Sequence, residues 1–299
     1  MFDLSYNPCH LCPRDCGADR TVRPGRCGQG TEITAARAAL HRWEEPCISG
    51  TNGSGAIFFT GCALGCCFCQ NSRISQEALG KKITARHLSR IMLKLQAEGA
   101  HNINLVTASH FLPSVMEALD LAKPGLQIPV VFNCGGYEKT ELVEALKGYV
   151  DIWLPDFKYF SPELSAKYSS APDYFAAASK AIPKMAAQAG PPVLDADGIM
   201  KSGVIVRHMV LPGCHKDSIA LLRWLAANLN PADILISLLS QFTPFYKSSE
   251  YPELNRRITS YEYDKVVDEA LRLGFSHGFM QEKSSAKEEY TPPFDLEGI

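Results

Sequence analysis

The sequence lacks the long uniform runs that mark several classes of protein. No uncharged apolar stretch reaches the roughly 18 residues that a membrane-spanning helix needs. Acidic and basic residues are mixed, with a formal net charge of −2, which argues against a nucleic-acid-binding or membrane-surface role. The first residues, MFDLSYNPCHLCPRD, lack the charged and apolar regions of a secretory signal. We therefore expect a cytoplasmic protein with no membrane partner.

Cysteine, by contrast, is abundant, with 11 residues in a chain of 299. A reducing compartment disfavours structural disulfides, so clustered thiols there indicate metal binding or catalysis. Two clusters are present, one of Cys9, Cys12, Cys16 and Cys27 and one of Cys62, Cys66, Cys67 and Cys69. The isolated Cys47, Cys134 and Cys214 are interpreted as small core residues.

From residue 55 onward, short apolar runs alternate with amphipathic helical segments. The strand-like runs are 55–61, 102–108, 129–133, 151–155, 203–211, 233–240 and 278–281. This alternation predicts an α/β fold with parallel strands and right-handed crossovers, either an open doubly wound sheet or a full or partial barrel. Hydrophobic residues make up 46% of the chain, which is enough for a large core.

The alternation of strand-like and helical segments divides the chain into two parts. Residues 1–50 lack this alternation and are predicted to form a small cysteine-rich, metal-binding module. Residues 51–299 are predicted to form the main α/β unit, which ends in a proline-containing tail at 288–299. Within the main unit, Thr84 is expected to cap a helix, and Pro183 is expected to kink or split another helical region.

Function in such folds collects at the carboxyl ends of the strands. The cysteine loop, GCALGCCFCQN at 61–71, directly follows the first predicted strand. The later strands end in TASH (107–110), NCGGYE (133–138), DFK (156–158), RHMVLPG (207–213) and SQFTP (240–244). We therefore expect these segments and the cysteine loop to form one site.

The cysteine loop has a spacing that favours an iron–sulfur cluster. Thiolates are soft ligands suited to iron–sulfur clusters, zinc and copper, and structural zinc sites usually close with four ligands. The compact C-x3-C-x2-C arrangement of Cys62, Cys66 and Cys69 favours a [4Fe–4S] cluster with one iron left open for a cofactor or substrate. Adjacent residues point in different directions, so Cys67 is predicted not to be a ligand. Phe68 is predicted to pack beside the cluster.

These residues carry a resemblance to a known family. C-x3-C-x-aromatic-C after the first strand resembles the signature of the radical S-adenosylmethionine (radical SAM) superfamily. The segments LCPRDCG, GCALGCCFCQN, GAHNINLVT, LPDFKY, VRHMVLPG and SQFTP resemble its pyruvate formate-lyase activating enzyme-like group, over nearly the whole chain. The resemblance implies an incomplete (β/α)6 barrel in which SAM chelates the open iron. It also implies that one electron, from a flavodoxin- or ferredoxin-type donor, cleaves SAM to a 5′-deoxyadenosyl radical that takes hydrogen from a substrate.

The resemblance is less complete at the end of the second strand. Many members place Gly-Gly-Glu there to hold the amino group of SAM, whereas this chain has no glutamate at that position. Thr107, Ser109 and His110 are the residues that could replace it. For His110, a helix cap or a satisfied hydrogen bond is the alternative.

Further positions match the family at the later strand ends. They are Asn133, Gly135, Asp156, Lys158, Arg207 and Gln241, and the resemblance implies that they lie against SAM or the substrate. A guanidinium such as that of Arg207 can hold a carboxylate with two hydrogen bonds. An ordinary turn at Gly135 and a structural ion pair between Asp156 and Lys158 are the alternatives.

The N-terminal cysteines also occur in the resembling group, as CPR-x-C followed by G-x-C. Cys9, Cys12, Cys16 and Cys27 lie within 19 residues, without the two C-x2-C pairs of a zinc ribbon. They could bind zinc or a second, fully ligated [4Fe–4S] cluster that relays electrons, or no metal.

The leading functional interpretation is a radical SAM enzyme with an unidentified substrate. The substrate could be a backbone glycine of a glycyl radical enzyme, or else a small molecule, a peptide or RNA. The alternative is a non-catalytic iron–sulfur electron-transfer protein or a structural zinc protein, neither of which needs Asp156, Lys158 and Arg207 at successive strand ends. A SAM methyltransferase is disfavoured because cysteines occupy the place of its glycine-rich nucleotide loop.

Overall fold

The computed structural model describes residues 2–281 and 291–299. The strands are β1 (Ile33–His41), β2 (Ser54–Phe59), β3 (Lys81–Ile83), β4 (Ile103–Val106), β5 (Val130–Cys134), β6 (Ile152–Pro155), β7 (Val193–Leu194), β8 (Met200–Met209), β9 (Leu235–Leu239) and β10 (Gly278–Met280). The α-helices are α1 (Pro46–Ser49), α2 (Ser72–Ser75), α3 (Ala85–Ala97), α4 (Leu112–Ala122), α5 (Thr140–Ala145), α6 (Pro162–Ser169), α7 (Tyr174–Ala189), α8 (His215–Asn228) and α9 (Ser260–Arg272).

One sheet runs through the protein in the order β10-β9-β8-β6-β5-β4-β2-β1-β3, with β7 paired to β8 outside that path. From β10 to β2 every neighbouring pair on the path is parallel. β1 pairs antiparallel with both β2 and β3. The predicted α/β class with a largely parallel sheet is confirmed, and each predicted strand has a counterpart in the sheet.

The sheet separates two hydrophobic layers because side chains alternate between the faces of a strand. On one face, Phe132 and Trp153 belong to the large core beneath the longer helices. On the other face, Val131 of β5 packs in a smaller cluster with Cys47 and Ile48 of α1. The short helix α1 therefore covers the second face, and the chain that enters it lies beside the strand ends.

Helix α3 forms as the sequence predicts. The Thr84 hydroxyl caps it by accepting a hydrogen bond from the His87 N–H group at 3.1 Å. Its buried face consists of Leu88, Ser89, Ile91, Met92 and Leu95, at helical spacing. In the described ranges of the chain, none of the helices is both long enough and apolar enough to cross a bilayer.

The helical region around Pro183 is not split. Helix α7 runs without interruption through Pro183, and a kink there stays a prediction. Ala178, Ile182 and Met185 are buried on both sides of the proline. Tertiary packing of this face holds the two halves together despite the backbone N–H group that proline lacks.

The described end of the chain returns to β1. The Leu296 N–H group donates to the Ala36 carbonyl oxygen at 3.0 Å. The Phe294 ring meets the Phe58 ring edge-on, with 5.6 Å between centroids. Residues 288–290 of the predicted tail lie outside the described residues.

Candidate functional site

A cavity of about 660 Å³ lies at the carboxyl ends of the parallel strands. The face that is apolar against α1 becomes polar there: Ile205 is followed by Arg207, and Leu235 by Ser237. Of the predicted site residues, those that line the cavity are Cys62, Cys66, Phe68, Cys69, Thr107, Asn133, Gly135, Asp156, Lys158, Arg207 and Gln241. The structure therefore brings most of the predicted set together.

The cysteine loop leaves β2 through a tight turn. Gly61 has a φ of +91°, and a Cβ atom there would lie 2.6 Å from the Cys27 carbonyl oxygen. Only glycine fits both the backbone conformation and the space. Further along the loop, the Cys67 N–H group donates to the Tyr168 carbonyl oxygen at 2.8 Å. The backbone thus fixes the loop directly before Cys62 and again between Cys66 and Cys69.

Each of the three predicted ligands has a hydrogen-bonding partner at sulfur. The contacts are Leu64 N–H to Cys62 Sγ at 3.4 Å, Ser169 Oγ to Cys66 Sγ at 3.0 Å, and Ser75 Oγ with Cys69 Sγ at 3.3 Å. Hydrogen bonds to the sulfur atoms are one of the features that set the potential of an iron–sulfur cluster.

The thiols of the cysteine loop lie in a buried environment that disfavours a free thiolate. Burial raises the pKa of Cys69 to about 11 and that of Cys62 further, and the neighbouring Cys66 adds to both shifts. The Lys158 ammonium opposes them. A thiol that ionises only with difficulty by itself becomes a thiolate when it binds a metal.

The donor set fits a [4Fe–4S] cluster. Three thiols on one short loop face a single cavity, which is the ligand set for a cluster with one open iron. Among residues 2–281 and 291–299, no three His, Cys, Asp or Glu side chains are already arranged to hold a metal ion. A cluster does not require that arrangement, since its thiolates bind different irons.

Cys67 has different surroundings from its neighbours. It is buried in the main core and does not contribute to the cavity lining. Burial raises its pKa to about 12. Phe68 does line the cavity, and its ring packs edge-on against Phe242 at 5.9 Å between centroids. That Cys67 is not a ligand stays a prediction, and its position in the core agrees with it.

Arg207 is the centre of a buried polar network. Its Nε donates to Asp156 Oδ1 at 2.9 Å, its Nη1 to Glu44 Oε2 at 3.1 Å and its Nη2 to Asn133 Oδ1 at 2.5 Å. Lys158 Nζ pairs with Asp156 Oδ2 at 2.6 Å. Burial alone would raise the pKa of Asp156, but Arg207 and Lys158 together hold it below its ordinary value. The network fixes two cations at the strand ends.

Ser109 and His110 are not brought to the cavity. Both are buried in a short 3-10 helix before α4. The His110 ring is hydrogen bonded through Nε2 to the Thr60 carbonyl oxygen at 2.7 Å, and burial lowers its pKa to about 4. Arg20 donates to the His110 carbonyl oxygen at 2.6 Å. The alternative of a satisfied hydrogen bond is the one that the geometry of His110 matches.

Two site residues escape the sequence reasoning. Glu44 and Glu45 lie between β1 and α1 and line the cavity; Glu45 is buried, and the Glu44 side chain is 9% exposed. Burial raises the pKa of both carboxyl groups, and the Arg207 guanidinium opposes the shift. Adjacent glutamates before a proline usually indicate a solvated turn. Recognising β1 as a strand would have located these residues. Its alanine-rich sequence, however, does not show the alternation that is typical of a strand.

The four N-terminal cysteines lie near one another. Burial raises the pKa of Cys12 to about 12, and the Cys27 and Cys9 thiols add to that shift. Burial also raises the pKa of Cys27, and the Cys9 and Cys16 thiols add to that shift. The module contacts the cysteine loop directly, since the Cys62 N–H group donates to the Cys27 carbonyl oxygen at 3.3 Å.

Comparison with known proteins places this geometry in a family. The model of the radical SAM superfamily matches residues 56–225. The uncharacterised protein MJ0674 of Methanocaldococcus jannaschii is 30% identical over 277 residues, which cover 88% of this chain and 74% of that protein.

Solved structures are also similar. Streptococcus suis SuiB bound to its precursor peptide SuiA is 11% identical, with a TM-score of 0.50, over 76% of this chain and 48% of SuiB. SuiB bound to S-adenosylmethionine is 14% identical, with a TM-score of 0.49, over 74% of this chain and 48% of SuiB. The chain spans about half the length of these solved structures.

The chain belongs to the radical SAM superfamily. Membership implies an enzyme that uses a [4Fe–4S] cluster and SAM to carry out a radical reaction.

Proposed function

We propose that this protein is a radical SAM enzyme whose cluster is ligated by Cys62, Cys66 and Cys69 and which abstracts hydrogen from a substrate still to be identified. The observation that carries the proposal is the shared cavity. The three thiols line it together with Asp156 and Arg207 from distant strand ends. A non-catalytic iron–sulfur or zinc protein would need the thiols but not the buried polar network.

The cluster and SAM, when bound, supply the reductive cleavage that generates the 5′-deoxyadenosyl radical. Lys158 and Arg207 would hold SAM by donating hydrogen bonds to its carboxylate and hydroxyl groups. Asn133 and Gln241 offer amide groups, and Gly135 leaves space for close approach of the ligand. We do not assign Ser109 and His110 to SAM. We propose Thr107, which directly follows β4, in their place.

Aromatic side chains would protect the radical reaction. Phe58, Phe59, Phe68 and Phe279 line the same cavity as the polar network. An apolar lining expels water and strengthens the electrostatic interactions of the buried charges. We propose that these side chains exclude water and oxygen from the cluster when substrate and SAM are in place.

We further infer the incomplete (β/α)6 barrel of the pyruvate formate-lyase activating enzyme-like group. Six strands, β2, β4, β5, β6, β8 and β9, follow one another in parallel, which supports this plan. Among the described strands, the path ends at β3 and β10 without these two pairing with each other. Residues 1–50 are proposed as the metal-binding module, with β1 anchoring it to the sheet.

The N-terminal module is proposed to hold a second [4Fe–4S] cluster, with zinc as the alternative. Cys9, Cys12, Cys16 and Cys27 would ligate it fully, so it would relay electrons rather than bind SAM. The support is the hydrogen bond between the backbones of Cys27 and Cys62, which joins the N-terminal segment to the cysteine loop. A flavodoxin- or ferredoxin-type donor would supply the electron.

Two classes of substrate are candidates for this reaction. The resemblance suggests a backbone glycine of a glycyl radical enzyme. The structural neighbour SuiB is bound to a precursor peptide, which makes a peptide the second candidate.

The decisive experiment is anaerobic reconstitution with iron and sulfide, followed by reduction and addition of SAM. We expect about eight irons per chain for two clusters, or about four if the N-terminal module holds zinc. We also expect 5′-deoxyadenosine. The triple Cys→Ala variant at 62, 66 and 69 should form none, whereas Cys67→Ala, the matched control, should keep its iron and its product.

Other outcomes have distinct meanings. Equal loss of iron in Cys67→Ala and in single variants of its neighbours would contradict the ligand assignment. A reduced, fully loaded protein that never yields 5′-deoxyadenosine, even with glycyl radical enzymes or peptides added, would favour the electron-transfer protein.

A further inference from the structure

Glu45 brings a carboxyl group to the cavity without a partner for one of its oxygens. The residue is 7% exposed, and its Oε2 atom has no hydrogen-bond partner. Ser237 of β9 lines the same cavity. Buried polar atoms are almost always paired, so an unpaired oxygen at a cavity wall indicates a ligand that supplies a donor.

The charges along the cavity do not balance. Among the described lining residues, the carboxyl groups are Glu44, Glu45 and Asp156, and the cations are Lys158 and Arg207. Arg207 is shared by Glu44 and Asp156, and Lys158 pairs with Asp156. His41 also lines the cavity, but burial lowers its pKa to about 4, so it is neutral at pH 7. One carboxyl group therefore needs a proton or a cationic ligand.

Glu44 is not that group, although it is the direct neighbour of Glu45. Its Oε1 atom accepts hydrogen bonds from Asn104 at 3.2 Å and Asn133 at 3.3 Å, and its Oε2 atom accepts from Arg207. All of its oxygens are satisfied by the protein. Glu45, in contrast, has one carboxyl oxygen, Oε2, that accepts no hydrogen bond.

The position of Glu45 points to the substrate rather than to SAM. Cys47 and Ile48, which follow Glu45, pack in one cluster with Ile205 of β8 and Leu235 of β9, whereas the cysteine loop follows β2. β4, β5, β6 and β8 lie between β2 and β9 in the sheet. A SAM bound at the cysteine loop would begin at the β2 side of the cavity, and the segment that contains Glu45 packs against β8 and β9. Apolar side chains of the same region, Leu239, Phe279 and Met280, also line it.

We propose that Glu45 binds a protonated amine or guanidinium of the substrate, next to an apolar part of the same molecule. This inference rests on the proposed function for the site and narrows its substrate class. The cation would complete the charge balance of the cavity and supply a donor for Oε2. The apolar part would pack against the side chains of β9 and β10.

The test compares amines with alcohols of the same carbon skeleton. Benzylamine, phenethylamine and hexylamine, with benzyl alcohol, 2-phenylethanol and 1-hexanol, are titrated calorimetrically into the full-length, anaerobically reconstituted protein, with and without SAM. We expect at least one amine to bind tenfold or more tightly than its alcohol. Glu45→Gln should remove the preference, and Glu45→Asp should retain part of it. Glu117→Gln, an exposed position on α4, is the matched control.

Each result decides the matter. An amine preference that persists in Glu45→Gln would overturn the inference, and so would equal or undetectable binding of amines and alcohols to the wild type. If SAM competes with the amines and Glu45→Gln weakens SAM binding tenfold, the cation belongs to SAM and the substrate assignment is wrong. Amine binding in a protein that makes no 5′-deoxyadenosine would overturn the proposed function and leave this pocket assignment standing.

Discussion

At the scale of single residues, Arg207 determines whether the buried carboxylates of the site are tolerated. Its side chain is 16% exposed and holds Asp156 and Glu44, whereas Arg223, which pairs with Glu269, is 62% exposed. Removing one partner of a buried ion pair leaves an uncompensated charge, which is far more costly than losing a surface pair.

We therefore expect Arg207→Gln to lower the free energy of unfolding by about 3–5 kcal/mol. The control Arg223→Gln should cost less than about 1 kcal/mol, because water screens that pair. Anaerobic urea denaturation of both variants at equal iron content measures the difference. Similar losses in the two variants would show that the network is not energetically special.

His208 gives the fold a sensitivity to acid. Its ring is buried, hydrogen bonds to the Phe157 carbonyl oxygen through Nδ1 at 2.6 Å and has no partner at Nε2. Burial lowers its pKa from 6.5 to about 4; the hydrogen bond to Phe157 and Asp156 oppose this shift, and the Lys158 ammonium adds to it. Between about pH 6.5 and pH 4, this histidine is therefore protonated in the unfolded chain and neutral in the folded protein.

The stability that this histidine contributes is present above pH 6.5 and is lost as the pH falls towards 4. We expect a slope of up to about 1.4 kcal/mol per pH unit from this residue. His208→Gln should reduce the slope between pH 6.5 and 5 in urea titrations. His87→Gln, on the exposed side of α3, controls for loss of a histidine, and an unchanged slope in His208→Gln would contradict the assignment.

At the scale of elements, the sequence locates the strands that bury bulky side chains and misses those that do not. The parallel strands are rich in valine, isoleucine, leucine and phenylalanine, and their ends carry the polar residues of the site. β1 reads ITAARAALH, in which alanine hides the alternation, and it pairs antiparallel at the outer side of β2. Missing β1 also hides Glu44 and Glu45, whose burial depends on where β1 delivers the chain. Tertiary packing, not local pattern, puts them in the cavity.

The turn after β5 shows the same limit in one glycine. Gly135 is predicted to allow a ligand to approach, whereas the neighbouring Gly136 is needed for the packing of two strand ends. Its φ is +76°, and a Cβ atom would lie 2.0 Å from the Asp156 carbonyl oxygen of the neighbouring strand end. Gly148 has a similar φ of +82° but open space around it.

Gly136→Ala and Gly148→Ala therefore separate backbone strain from steric conflict. We expect Gly148→Ala to cost about 1 kcal/mol from the left-handed backbone alone. Gly136→Ala should cost about 2 kcal/mol more, because the strand ends must move apart. Thermal and urea denaturation measure both. Equal costs would mean that the backbone at Asp156 can move aside without loss of stability.

At the scale of the whole molecule, Arg14 is one of the residues through which the N-terminal segment contacts the rest of the chain. Arg14 donates through Nε to the Ala63 carbonyl oxygen at 2.7 Å and through Nη1 to the Ser170 carbonyl oxygen at 2.5 Å. Its guanidinium also lies over the Tyr137 ring, 5.3 Å from the centroid. A residue of the first cysteine group thus fixes the loop that carries the second group.

We expect Arg14→Ala to loosen the cysteine loop without unfolding the sheet. Amide hydrogen–deuterium exchange should become at least about tenfold faster in residues 61–70, while β5 and β6 keep their protection, since local opening needs less free energy than global unfolding. Arg23→Ala, an exposed arginine of the same module, is the control. If exchange rises equally in the sheet, Arg14 stabilises the fold as a whole. If only the loop responds, the N-terminal segment is a structural support for the thiols of the site.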